Sequence, residues 1–112
     1  MNDDTTTRAG DPRFYRLLEE IAAVHERKSA DYAPQQDPLA NFTRVEQFGL
    51  RPYLGMLSRL TDKWGRICTF AKGRALCNES IRDSHIDSAV YHLLTVLILE
   101  DEAAKSAVAA ER

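Results

Sequence analysis

Residues 79–102 read ESIRDSHIDSAVYHLLTVLILEDE. Ile86, Val90, Leu93, Leu94 and Leu97 recur at helical spacing, and no stretch alternates as a strand would. At about 100° per residue these side chains form one stripe, and Glu79, Asp83 and Asp87 lie on it or within about 80° of its centre. Asn78 is a favourable N-cap before this segment, and Glu79 suits the first turn. The pattern predicts a helix over 79–102, followed by an Ala-rich tail over 103–112.

Upstream the same periodicity recurs. Pro52 opens a helix carrying Met56, Leu57, Leu60, Trp64, Ile67, Phe70 and Ala71, which Gly73 ends near residue 72. Trp64 and Phe70 read as core. Asp37-Pro38 caps a short helix over 38–48, closed by Gly49. Asp11-Pro12 opens a helix to Lys28, with Phe14, Leu17, Leu18, Ile21, Val24 and His25 on one face. Residues 29–37 show no period and read as a loop. Residues 1–10 are polar and read as a disordered tail. The expected fold is all-α, a four-helix bundle-like single domain.

Length and composition agree. A chain of 112 residues is one domain's worth. Five glycines and four prolines suit long helices. Fifteen basic residues against seventeen acidic ones give a net charge of −2, which argues against a nucleic-acid module. No segment reads as a signal or a membrane span. Cys68 and Cys77 form no metal-type pair and read as free thiols, so the expected location is cytoplasmic. The apolar length from Ile86 to Leu99 is more than one small bundle covers, so a homo-oligomer is expected.

Charge is distributed unevenly. Residues 51–74 hold Arg51, Arg59, Lys63, Arg66, Lys72 and Arg74 against Asp62 alone. Residues 79–102 hold Glu79, Asp83, Asp87, Glu100, Asp101 and Glu102 against Arg82 alone. Lys63 projects from the apolar stripe between Met56 and Phe70, with Arg59 and Arg66 beside it. One reading is an interhelical salt-bridge network with a solvated, dipole-matched helix end. The other is a phosphate-binding row beside a Mg²⁺-binding row, the combination used in phosphoryl chemistry. His85 and His92 lack a third ligand for zinc. His25 reads as a core histidine. Tyr32, Phe42 and Tyr53 lie in or near loops, where a base could stack.

Four segments together resemble a known family. They are Lys28-Ser-Ala-Asp31-Tyr32, Asn41-Phe42, Arg59-Leu-Thr-Asp62-Lys63-Trp-Gly-Arg66, and Glu79-Ser-Ile-Arg-Asp83-Ser-His-Ile-Asp87-Ser-Ala-Val-Tyr91. They resemble the phage and bacterial nucleotide-modification-associated domains, and more distantly the all-α MazG-like nucleotide pyrophosphohydrolases. In the latter a glutamate stands three residues before the aspartate, where this chain has Ser84. The resemblance implies a nucleotide-binding oligomer with Mg²⁺ held by Glu79, Asp83 and Asp87, and pyrophosphohydrolysis of nucleoside triphosphates as the expected activity. It implies Arg59, Lys63 and Arg66 on phosphates, Asp31, Tyr32 and Asn41 on base or sugar, and Lys28 as a further substrate-binding residue of the loop motif. Asp62 and Lys63 are the implied catalytic groups. A nucleotide-binding module without turnover and a purely structural oligomer are the rival expectations.

Overall fold

The computed structural model describes residues 8–32 and 39–111, with the side chain of Tyr32 outside the description. Most of the expected N-terminal tail, the loop over 33–37 and the Asp37-Pro38 cap therefore lie outside the described residues. The fold is all-α, with four helices among the described residues. They are α1 (Pro12–Tyr32), α2 (Ala40–Thr43), α3 (Pro52–Ala71) and α4 (Ile81–Ala110). A 3₁₀ segment, Arg44–Phe48, joins α2 to α3, and no strand occurs among the described residues. The chain divides into two compact units, 1–38 and 39–112.

The first unit contains α1. The Asp11 carboxylate accepts the Arg13 N–H at 2.9 Å, which caps the helix ahead of Pro12. Before it, the Tyr15 hydroxyl donates to the Ala9 carbonyl at 2.7 Å. The helix runs on to Tyr32, past the expected stop at Lys28. Ser29, Ala30 and Asp31 contain no breaker, and the first strong one is Pro34, which disfavours helical backbone at the residue before it. His25 is half-buried beside Ser29, Nε2 to Oγ 3.5 Å.

The second unit is an α3–α4 hairpin preceded by the α2–3₁₀ segment. The helix expected over 38–48 tightens to 3₁₀ geometry after Thr43. Val45 lies so close over α3 that a Cβ on Gly55 would sit 3.2 Å from its Cγ2. Gly49 (φ 76°) and Gly73 (φ 81°) end their segments in left-handed conformation. Both use the same paired bonds: Leu50 N–H to Val45 O with Gly49 N–H to Glu46 O, and Arg74 N–H to Thr69 O with Gly73 N–H to Phe70 O.

The start of α4 departs from expectation. Asn78 is not the cap: it takes a left-handed φ of 75°, which asparagine tolerates. Ser80 caps instead, its Oγ accepting the Asp83 N–H at 3.0 Å. Glu79 thus precedes the helix. At the other end α4 continues through the alanines to Ala110, as their high helix propensity favours.

The core is small. Met56, Leu94 and Ile98 are its buried hydrophobics, with Leu39, Phe42, Val90 and Tyr91 packed against them. Trp64 and Phe70, expected in the core, are 63% and 50% exposed. The stripe expected to be buried on α4 is split: Leu94 is buried and Val90 packs on the core, whereas Leu93 and Leu97 are 54% and 45% exposed. The row facing α3 instead runs Ser84, Asp87, Thr95, Ile98 and Glu102. Antiparallel pairing brings basic groups of α3 to acids of α4, on the same face as the buried Leu94 and Ile98. No described helix is long and apolar enough to cross a membrane. Cys68 and Cys77 are unpaired thiols.

Candidate phosphate-binding site

Four cationic side chains of the α3 region, Arg51, Arg59, Lys63 and Arg66, form rungs against α4 and its flanking segments. Arg51 and Lys63 meet carboxylates of the α4 region, while Arg59 and Arg66 donate to backbone carbonyls. At the far end Arg51 pairs with Glu102, Nη2 to Oε1 2.8 Å. The guanidinium hydrogen bond holds the Glu102 carboxyl below the usual carboxylate range.

Arg59 is two turns along. Its guanidinium carbon stands 4.8 Å from the Phe42 ring centre and 5.9 Å from that of Tyr91. One Nη2 donates to the Asn41 carbonyl at 3.4 Å. Among the described residues no carboxylate pairs with it. The residue as a whole is exposed, and a guanidinium carries five N–H donors. An arginine steadied on aromatic faces and short of an acid partner is well suited to a planar, bidentate phosphate contact.

Lys63, one turn further, is 11% exposed and held from two sides. Nζ lies 2.9 Å from Glu79 Oε1 and 3.0 Å from Asp87 Oδ2. Burial lowers the lysine pKa, but the hydrogen bonds and charges of the two carboxylates outweigh it and hold the ammonium above its ordinary value of 10.5. Ser84, fully buried, donates its hydroxyl to Glu79 Oε2. That bond first, and the Lys63 ammonium second, hold Glu79 below its ordinary 4.5. Both oxygens of Glu79 are thus engaged.

Arg66 ends the ladder. Its Nη1 donates to the Cys77 carbonyl at 3.1 Å, and Nε lies 3.9 Å from the exposed Asp62. That Nε is buried without a hydrogen-bond partner. A shallow, open depression lined by Asp62, Gly65, Thr69 and Asn78 adjoins it.

The structure therefore brings together Asn41, Arg59, Lys63, Glu79 and Asp87, with Arg66 and Asp62 adjacent. Asp83 stands apart on the exposed first turn of α4, where Ser80 caps its backbone. Lys28, Asp31 and Tyr32 end α1 in the other unit; Lys28 and Asp31 are exposed. His85 and His92 are exposed on α4. The three acids expected on Mg²⁺ do not fit that ion as arranged. Two converge on an ammonium and the third is elsewhere. No group of three or more His, Cys, Asp or Glu side chains among the described residues is placed to hold a metal.

Sequence reasoning missed Ser84 and Tyr91 as site residues. A signal existed for Tyr91. Arg59/Lys63 on α3 and Asp87/Tyr91 on α4 are both four residues apart, so an antiparallel hairpin that pairs Lys63 with Asp87 also brings Arg59 to Tyr91. No family model, curated protein or solved structure matches the chain.

Proposed function

We propose that this protein is a nucleotide-binding module that works as an oligomer, with Arg59 as its main phosphate contact. The observation that carries the proposal is the state of Arg59. Its guanidinium is braced on Phe42 and Tyr91 and, among the described residues, has no acid partner, whereas Arg51 and Lys63 are neutralised by carboxylates. A nucleotide phosphate supplies the missing anion. The resemblance to nucleotide-modification-associated domains supports the ligand class. The exposed apolar rows on α3 and α4 support assembly.

Binding without turnover is favoured over Mg²⁺-dependent pyrophosphohydrolysis because Glu79 and Asp87 are engaged by Lys63 and Asp83 lies apart. The test is a thermal-shift panel of nucleoside mono-, di- and triphosphates, with and without Mg²⁺, followed by product analysis. Stabilisation without product is the expected outcome. Product formed only with Mg²⁺ would restore the hydrolase reading. No shift with any nucleotide would leave a structural oligomer. Arg59→Ala should abolish the shift while lowering the stability of the free protein by no more than about 1 kcal/mol, the worth of an exposed cation–π contact.

A further inference from the structure

We propose that Lys63 is the resident cation of the α3–α4 site: its ammonium stands where a divalent metal would, and the wild-type chain binds no Mg²⁺ between Glu79 and Asp87. The inference concerns metal alone and stands whether or not a nucleotide binds.

Three observations support it. Lys63 Nζ is centred between two carboxylate oxygens from the α4 region, at 2.9 and 3.0 Å, ordinary N–H···O distances. The stem of Lys63 is fixed on α3, so the ammonium is present at a high effective concentration that a dissolved metal must overcome. Displacing it would leave a largely buried ammonium without partners, which is strongly unfavourable. The second observation is the donor set. Mg²⁺ demands near-octahedral oxygen ligation at about 2.0–2.1 Å. Here the ammonium takes the two oxygens that face each other, Glu79 Oε1 and Asp87 Oδ2, and Ser84 takes Glu79 Oε2, so with Lys63 in place no oxygen of Glu79 is left to ligate. The third is charge. Lys63 faces Glu79 and Asp87, and the positive charge of Arg66 also acts on Glu79. Glu79 thus already sits in the field of two cations, which leaves less attraction for a dissolved metal.

The proposal makes an unusual demand on a substitution. Removing the ammonium in Lys63→Ala should uncover two facing carboxylates beside a hydroxyl, and so create a divalent site where none existed. Full-length protein is titrated with MnCl₂ and MgCl₂, without nucleotide, by calorimetry and by melting temperature. The wild type and Lys63→Arg should show no saturable binding and no shift. Lys63→Ala should melt lower than the wild type in chelator. Millimolar metal should raise its melting temperature by roughly 5 °C or more. A folded Lys63→Ala that gains nothing from metal would overturn the proposal. If Lys63→Ala does not fold, the wild type decides. Saturable Mn²⁺ binding that disappears in Asp87→Asn would show that Lys63 does not fill the position, and its absence upholds the proposal.

Discussion

Ser84 is the smallest polar group in the site and shows how one hydroxyl sets the acid behaviour of its neighbours. Its donation to Glu79 stabilises the carboxylate form more than the protonated one, because the charged oxygen is the stronger acceptor. Glu79 therefore contributes stability that is present above 4.5 and lost as pH falls through its lower folded value. Lys63 is raised, so its contribution is present below 10.5 and lost as pH climbs through the higher folded value. Melting temperature against pH should show a plateau between those limits, with an acid limb owed in part to Glu79. Ser84→Ala should cost about 1.5–3 kcal/mol, the usual worth of a hydrogen bond to a charged group. It should also move the acid limb to higher pH. An unchanged limb would mean that Glu79 is held by Lys63 alone. Sequence patterning exposed the basic and acidic rows, because charge segregation along two helices is visible without coordinates. It did not single out Ser84, since a serine on a helix looks the same whether it faces solvent or a carboxylate.

Elements differ in how openly their ends are written. Gly49 and Gly73 were legible because left-handed termini favour glycine strongly, and each indeed closes its segment with the paired 6→1 and 5→2 bonds. The start of α4 was less so. Asn78 and Ser80 are both good caps, and only the bond from the Asp83 N–H to Ser80 decides between them. The rotation of α4 was hidden for a further reason. A hydrophobic wheel weights apolar area, while the face of α4 that meets α3 mixes the apolar Leu94 and Ile98 with Asp87 and Glu102, which pair with Lys63 and Arg51, and it leaves Leu93 and Leu97 outward. Within α3 two glycines give a sharp contrast. A Cβ on Gly65 meets nothing within 4 Å, whereas one on Gly55 meets Val45 Cγ2 at 3.2 Å. Gly65→Ala should stabilise the protein by about 0.5–1 kcal/mol through backbone entropy. Gly55→Ala has the same entropic gain but must push the 3₁₀ segment away, so it should stabilise less than Gly65→Ala or destabilise. Denaturant midpoints of the two variants compare them directly, and equal gains would mean that Val45 yields freely.

Over the whole molecule the imbalance is between apolar residues exposed and apolar residues buried. Only Met56, Leu94 and Ile98 are buried hydrophobics among the described residues, while Trp64, Leu93, Val96, Leu97 and Phe70 are each at least 45% exposed. Ile86, Val90, Leu93 and Leu97 follow one another at four-, three- and four-residue steps. That stripe lies on a different side of α4 from Ser84, Asp87 and Thr95, and it has the spacing of a helix-pairing seam. A second copy covering it would bury Leu93 and Leu97 and enlarge the small core without disturbing the ion pairs. The proposed oligomer therefore predicts opposite outcomes from a monomer for one substitution. In a monomer Leu97→Glu replaces an exposed side chain and should alter stability by no more than about 0.5 kcal/mol. In the oligomer it places charge in an apolar seam, so light scattering should show dissociation. The wild-type melting temperature should also rise with protein concentration, as mass action requires, and that dependence should vanish in Leu97→Glu. A wild type that scatters as a monomer and melts at one temperature at every concentration would refute the assembly and leave the Arg59 site to be tested on a single chain.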